Sequence, residues 1–224
     1  MNPVAPRSAA AVCRLFALKP PAAALLRPDH TPQAFFDELV AAGHLADARR
    51  LLAHALSAHR AVWWAALCLN HSERQKPFDS DAERSALAAA VGWCLAPSEP
   101  ARRGCAAAAR AAGQTTPAGV LATAAFVSSG SLSKPGLPAV VAEPHVCGRL
   151  CGVAVYLASV RYDPARYKAH LREYLAIGRE VARGTLLTPN PDPVLPATPA
   201  APAGDPELAA RLAAFKAQAE GSRA

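Results

Sequence analysis

The sequence predicts an all-α protein. Alanine, the residue with the best intrinsic helix propensity, supplies about a quarter of the 224 residues. Apolar residues recur at spacings of three and four between Ser/Thr caps and proline starts. No stretch alternates clearly at the two-residue period of a half-buried strand. The expected architecture is an irregular bundle or a stack of helical hairpins, about eight core helices, with one more helix tethered at the C-terminus. No repeat of fixed length is present, so a regular solenoid is the less favoured form.

Ser8 precedes a short stripe of Val12, Leu15 and Phe16 that stops at Pro20-Pro21. Thr31-Pro32 then supplies a cap and a proline at the first helical position, opening a helix through Phe35, Phe36, Leu39 and Val40 to Gly43. Residues 44–56 continue with Leu45, Leu52 and Leu56, giving two antiparallel helices joined at Gly43. Ala58–Asn70 carries apolar side chains on most sides, including Trp63 and Trp64, and reads as a buried central helix. A polar break over His71–Asp81 precedes a helix with Leu87, Val91, Cys94 and Leu95 that stops near Pro97. Ser98 caps an alanine-rich helix over 99–112, whose small side chains permit close approach, and Thr116-Pro117 starts another to about Ser128.

Residues 129–143 lack either periodicity and read as a long ordered loop or strap. Pro144 opens a helix whose stripe is Val146, Leu150, Val153, Leu157 and Val160. Asp163-Pro164 starts the last core helix, with Tyr167, Leu171, Tyr174, Ile177 and Val181 inward and Gly184 at its end. The expected organisation is a helical domain over 1–184, a Pro/Ala-rich linker over 185–204 and an amphipathic helix over 205–224. On that last helix Leu208, Leu212 and Phe215 form one apolar face, the expected partner-binding stripe, since so short a helix needs something to pack against.

The net charge is +7 and the pI about 9.4. The surplus is localised: residues 1–70 carry seven Lys/Arg against four Asp/Glu, and 144–187 carry seven against three. Such a balance favours acidic surfaces generally without nominating nucleic acid. Six cysteines with no CxxC pair fit a reducing cytoplasm, and the N-terminal apolar runs are broken by Arg14 and Lys19-Pro20-Pro21, against a secretory signal. No stretch is long and apolar enough to span a membrane.

No motif for catalysis is visible and none calls for a cofactor. His145, Cys147 and Cys151 are the nearest approach to a metal set, but no fourth ligand is nearby and the surroundings are those of a core helix. The serine-rich run Ser128–Lys134 matches neither a nucleophile elbow nor a phosphate loop, and reads as a turn cluster before a recognition loop. The histidines read as surface or capping residues without a carboxylate at useful spacing, and Trp63, Trp64 and Trp93 as core. Lys168, Arg172, Arg179 and Arg183 fall on one face of the last core helix, which reads as a solvated stripe before an acidic-partner grip.

The helix AVWWAALCLN, the stretch RRGCAAAARAAGQTTPAGVLATAAF and the loop SSGSL…PGLP…EPH feeding a helix together resemble an uncharacterised domain-of-unknown-function family of Ala-rich helical bacterial proteins, over about residues 8–183. Some members of that family are associated with type VI secretion gene clusters. The resemblance implies an accessory or adaptor role and brings no catalytic residues. The expected function is therefore a non-enzymatic interaction module whose partner is another protein. The alternatives are an enzyme whose site is assembled from residues far apart in sequence, and a binder of nucleic acid or acidic surfaces through the basic face.

Overall fold

Helices begin where hydroxyl caps put them. In six cases a Ser or Thr side chain accepts from the backbone N–H three residues on: Ser8 from Ala11, Thr31 from Ala34, Ser57 from Arg60, Ser80 from Glu83, Ser98 from Ala101 and Thr116 from Gly119, over 3.1–3.4 Å. These caps open α1 (Ala9–Cys13), α3 (Pro32–Ala41), α5 (Ala58–Gln75), α6 (Asp81–Leu95), α7 (Glu99–Ala112) and α8 (Pro117–Val127). The other helices are α2 (Pro20–Ala23), α4 (Leu45–Ala55), α9 (Pro144–Arg161) and α10 (Tyr167–Arg183). The computed structural model describes residues 8–134 and 137–186, and no strand occurs among them. The linker, apart from its first two residues, and the tail helix with Leu208, Leu212 and Phe215 lie outside the described residues.

Helices α6, α7 and α8 pack on one another in succession, and α9 lies against α4, α5, α8 and α10. Side-chain bonds to backbone carbonyls show which ends come together. His59 Nε2 lies 2.9 Å from the Cys94 carbonyl, Cys147 Sγ donates to the Ala58 carbonyl over 3.9 Å, and Trp63 Nε1 donates to the Leu186 carbonyl over 3.1 Å. One pole of the bundle thus gathers the starts of α5 and α9 and the ends of α6 and α10. At the opposite pole Arg161 donates to the Lys76 and Pro77 carbonyls and stacks 4.5 Å over the Phe78 ring.

Three sequence expectations shift. Helix α5 runs on through Gln75 where a polar break was expected, because its polar extension is itself amphipathic: Ser72 is buried while Glu73, Arg74 and Gln75 face outward or sit at the edge. Asp163-Pro164 makes a 3-10 turn before α10 proper begins at Tyr167, and Tyr167 is exposed. The largest change is in α9. Its buried face is Cys147, Gly148, Cys151, Gly152, Ala154, Val155, Ala158 and Ser159, while Val153 is exposed and Val146, Leu150, Leu157 and Val160 are half-buried. A central position rewards the face that lets neighbours come close over the face with the larger side chains.

The closeness is measurable. A Cβ on Gly148 would lie 2.5 Å from the Ala53 carbonyl oxygen of α4, and one on Gly178 of α10 would lie 2.7 Å from Trp64 Nε1. Trp64, fully buried, donates that indole N–H to the Tyr174 carbonyl over 2.7 Å. Gly104, midway along α7, has nothing within 4 Å of the same position. Gly148→Ala should therefore destabilise by about 1–3 kcal/mol through overpacking against backbone, and Gly104→Ala should stabilise by about 0.5–1 kcal/mol. Thermal denaturation of the two variants should move in opposite directions.

Candidate functional site

The serine-rich run and the loop after it are organised by one helix start. Glu99, in the first turn of α7, is positioned by the Ser98 cap, and Arg102 and Arg103 follow it at helical spacings of three and four. Arg102 is 1% exposed. It grips Glu99 with Nε at 2.7 Å and Nη2 at 2.8 Å, donates Nη2 to the Ser131 carbonyl over 2.8 Å and Nη1 to the Phe126 carbonyl, and lies 4.9 Å over the Phe126 ring. Arg103 donates to Glu99 over 2.6 Å, to the Ser133 carbonyl over 2.9 Å and to the Ser131 carbonyl over 3.2 Å. The shared Glu99 carboxylate is held down to about 2, first by the hydrogen bond from Arg102, opposed by desolvation and reinforced by the hydrogen bond from Arg103.

This clasp fixes the root of the strap. Gly130 adopts φ +63°, and the Arg102 guanidinium sits 3.1–3.2 Å from where its Cβ would be, so a side chain here meets both strain and a wall. Beyond it the chain closes on itself. The Leu132 N–H donates to the Val140 carbonyl over 2.7 Å, and Ser131 Oγ accepts from the Ser133 and Val140 amides at 3.1 and 3.2 Å. The Leu137 amide donates to the Lys134 carbonyl over 3.1 Å. Held this way, Leu137, Val140 and Val141 stand 61%, 56% and 69% exposed. Residues such as these on a fixed backbone present apolar area to a partner at little ordering cost.

The other residues singled out in the sequence fall elsewhere. Cys147 and Cys151 are buried next to each other on the inner face of α9, whereas His145 is half-buried at its first turn, and no group of three or more possible metal ligands exists among the described residues. All six cysteines are free and buried. Burial pushes Cys13 and Cys105 to about 11 and Cys68, Cys94 and Cys151 well above the ordinary thiol value, so those five are held as unreactive thiols. Trp63, Trp64 and Trp93 are core.

The basic stripe of α10 is divided. Lys168 and Arg172 are exposed, while Arg179 lies 3.7 Å from Asp37 and Arg183 lies 3.2 Å from Glu180. Three of the histidines read as surface or capping residues, His30, His54 and His170, are buried, while His44, His59, His71 and His145 are half-buried; His30 meets Glu38 at 3.1 Å, and His71 meets Glu173, far from it in sequence, at 3.7 Å. His30 also accepts the Arg27 amide at Nδ1 over 3.2 Å, so it closes the loop before α3. Sequence reasoning did not find the clasp. Residues 99–112 read only as an alanine-rich helix; the spacing of Glu99, Arg102 and Arg103 fits an intrahelical ion pair, but nothing in it shows that the guanidinium groups also reach the carbonyls of Phe126, Ser131 and Ser133.

The fold and the strap together define a helical bundle with a non-helical surface loop that is anchored at its root and exposes Leu137, Val140 and Val141. The chain belongs to the family described as a family of unknown function, DUF6931, whose pattern matches residues 35–182, about two-thirds of the sequence. The match takes in the clasp and the whole strap. No curated protein and no solved structure matches the chain.

Arg102→Met removes the side-chain donor to the Phe126 carbonyl and one of the two to the Ser131 carbonyl, and leaves Glu99 with Arg103 alone; it should cost about 2–4 kcal/mol and lower the melting temperature by about 4–12 °C. The Glu99 carboxyl has a folded value of about 2 against 4.5 unperturbed. Its contribution is therefore complete above about 4.5 and is lost as pH falls through 2. The stability difference between the wild type and Glu99→Gln should be constant above pH 5 and shrink steadily below it, as measured by urea denaturation across pH.

Proposed function

We propose that this chain is a non-enzymatic protein-interaction module that presents the 129–143 strap to another protein. The observation that carries the reading is the contrast between root and tip. Five hydrogen bonds hold the root, three donated by Arg102 and Arg103 to the Ser131 and Ser133 carbonyls and two accepted by Ser131 Oγ, while three large aliphatic side chains within five residues are given to solvent. Apolar side chains clustered on an ordered surface loop mark interaction sites more often than catalytic ones. Burial raises the pKa of five thiols, Cys13, Cys68, Cys94, Cys105 and Cys151, and this also favours binding over nucleophilic catalysis.

The chain's likeness to alanine-rich helical bacterial proteins, some linked with type VI secretion, supports an adaptor within a bacterial secretion assembly working in the cytoplasm. The tail stripe of Leu208, Leu212 and Phe215 is a second contact of the helix-in-groove kind. A photo-crosslinking amino acid placed at Val141 in the native host should give one discrete adduct with another protein, lost on Leu137→Asp with Val140→Asp. Deleting residues 190–224 should leave the fold unchanged and weaken that capture. Absence of any adduct, with the protein folded and abundant, overturns the reading.

A further inference from the structure

The two regions that hold the whole basic surplus of the sequence, 1–70 and 144–187, meet along the seam between α4 and α9. Gly148 and Gly152 bring the helices together there: the Cβ position of Gly152 lies 3.2 Å from Arg49 Nη1, and that of Gly148 lies 3.0 Å from His54 Nδ1. Arg49 donates to the Gly152 carbonyl and sits 5.5 Å over the Tyr156 ring. Its Nε is buried without an acceptor. Arg149, one turn along α9 from His145, is exposed and makes no ion pair with a described carboxylate, and neither does Arg49. Asp47 is the acid on this seam and is committed to Arg50 at 3.0 Å; Glu143 stands exposed just ahead of α9.

Burial and neighbouring cations act together on this seam. His54 is drawn down to about 4, first by burial and then by His145 and Arg149, and Arg49 is drawn down to about 10, first by burial and then by Arg50. Apolar surface lies beside it. Val153 and Tyr156 are 39% and 44% exposed on the outer face of α9, Phe16 stacks on His54 at 5.5 Å between centroids, and Leu15 next to it is exposed. Of the seven large apolar side chains exposed among the described residues, Val153 and Tyr156 lie one turn apart on α9 and three lie on the strap.

We propose that the α4–α9 seam is a second docking surface, and that its occupant is an acidic amphipathic segment of a partner protein whose carboxylates pair with Arg49 and Arg149 and whose apolar side chains cover Val153 and Tyr156. Charge complementarity selects the acid. The exposed Arg149 guanidinium, in no ion pair with a described carboxylate, can donate to an incoming carboxylate without first breaking one. The aliphatic and aromatic area beside the charges selects an amphipathic peptide over a polyphosphate backbone, since arginine and tyrosine together are the composition of interface anchors. The surface is distinct from the strap, so the strap reading can fail while this one stands.

The probe is a fluorescein-labelled peptide of about 18 residues, with glutamates on one helical face and leucines on the other. Its controls are a scrambled peptide of the same composition and a single-stranded DNA of about 20 nucleotides, all titrated against the full chain by fluorescence anisotropy. The patterned peptide should bind about tenfold or more tighter than either control, with affinity falling as salt rises. Arg149→Glu and Tyr156→Ala alter exposed side chains and should each weaken binding about fivefold or more, with unchanged melting temperature for the first. Val141→Asp in the strap should leave it unchanged. Equal binding of the scrambled peptide, tighter binding of DNA, or indifference to both seam variants overturns the proposal.

Discussion

Helix α9 can occupy the centre of the bundle because its inner face carries only glycines and small side chains. With Gly148 and Gly152 turned towards α4, the backbones approach until a single added carbon would strike the Ala53 carbonyl. Everything around α9 is placed by that approach. Helices α4, α5, α8 and α10 all rest on it, and both the strap ahead of its first turn and the cationic seam along its flank take their positions from it. Alanine abundance works in the same direction. A core built from Ala61, Ala65, Ala66, Ala86, Ala90, Ala118, Ala122, Ala124, Ala125, Ala154 and Ala158 buries little area per residue, so its cohesion comes from close backbone packing, with the two fully or almost fully buried tryptophans of α5 filling the wider spaces.

Much of this was legible before the fold was seen, and the reason is local. Caps at Ser8, Thr31, Ser98 and Thr116, prolines at first helical positions, and glycines at the ends of α3 and α10 act within one turn, so each leaves its mark on contiguous residues. The inward face of α9 was misjudged for a related reason. Reading the larger aliphatic stripe as core assumes that hydrophobic area decides burial, which holds for a helix lying on a surface. It fails for a helix surrounded on several sides, where the size of the side chain limits the approach.

The candidate surfaces were barely legible, because both depend on residues that meet across the fold. The clasp joins α7 to a loop about thirty residues later, and the seam joins Arg49 and His54 to residues about a hundred positions further on. The basic stripe read along α10 shows the converse. Its helical spacing is sound, yet Asp37 from α3 reaches Arg179, and that neutralisation could not be seen from α10 alone. Charge density on one helix is therefore a poor guide to the potential at a surface shared by several.

The burial of every cysteine has a practical meaning. With all six thiols inside the packed helices, an alkylating reagent meets no ready target while the chain is folded. Alkylation then proceeds at the rate at which the helices part, so the thiols serve as a built-in gauge of how often the molecule opens. Cys13, in the short first helix, and Cys68, wholly enclosed in α5, sit at different depths of that gauge. The order in which they become labelled would map which layer of the bundle loosens first.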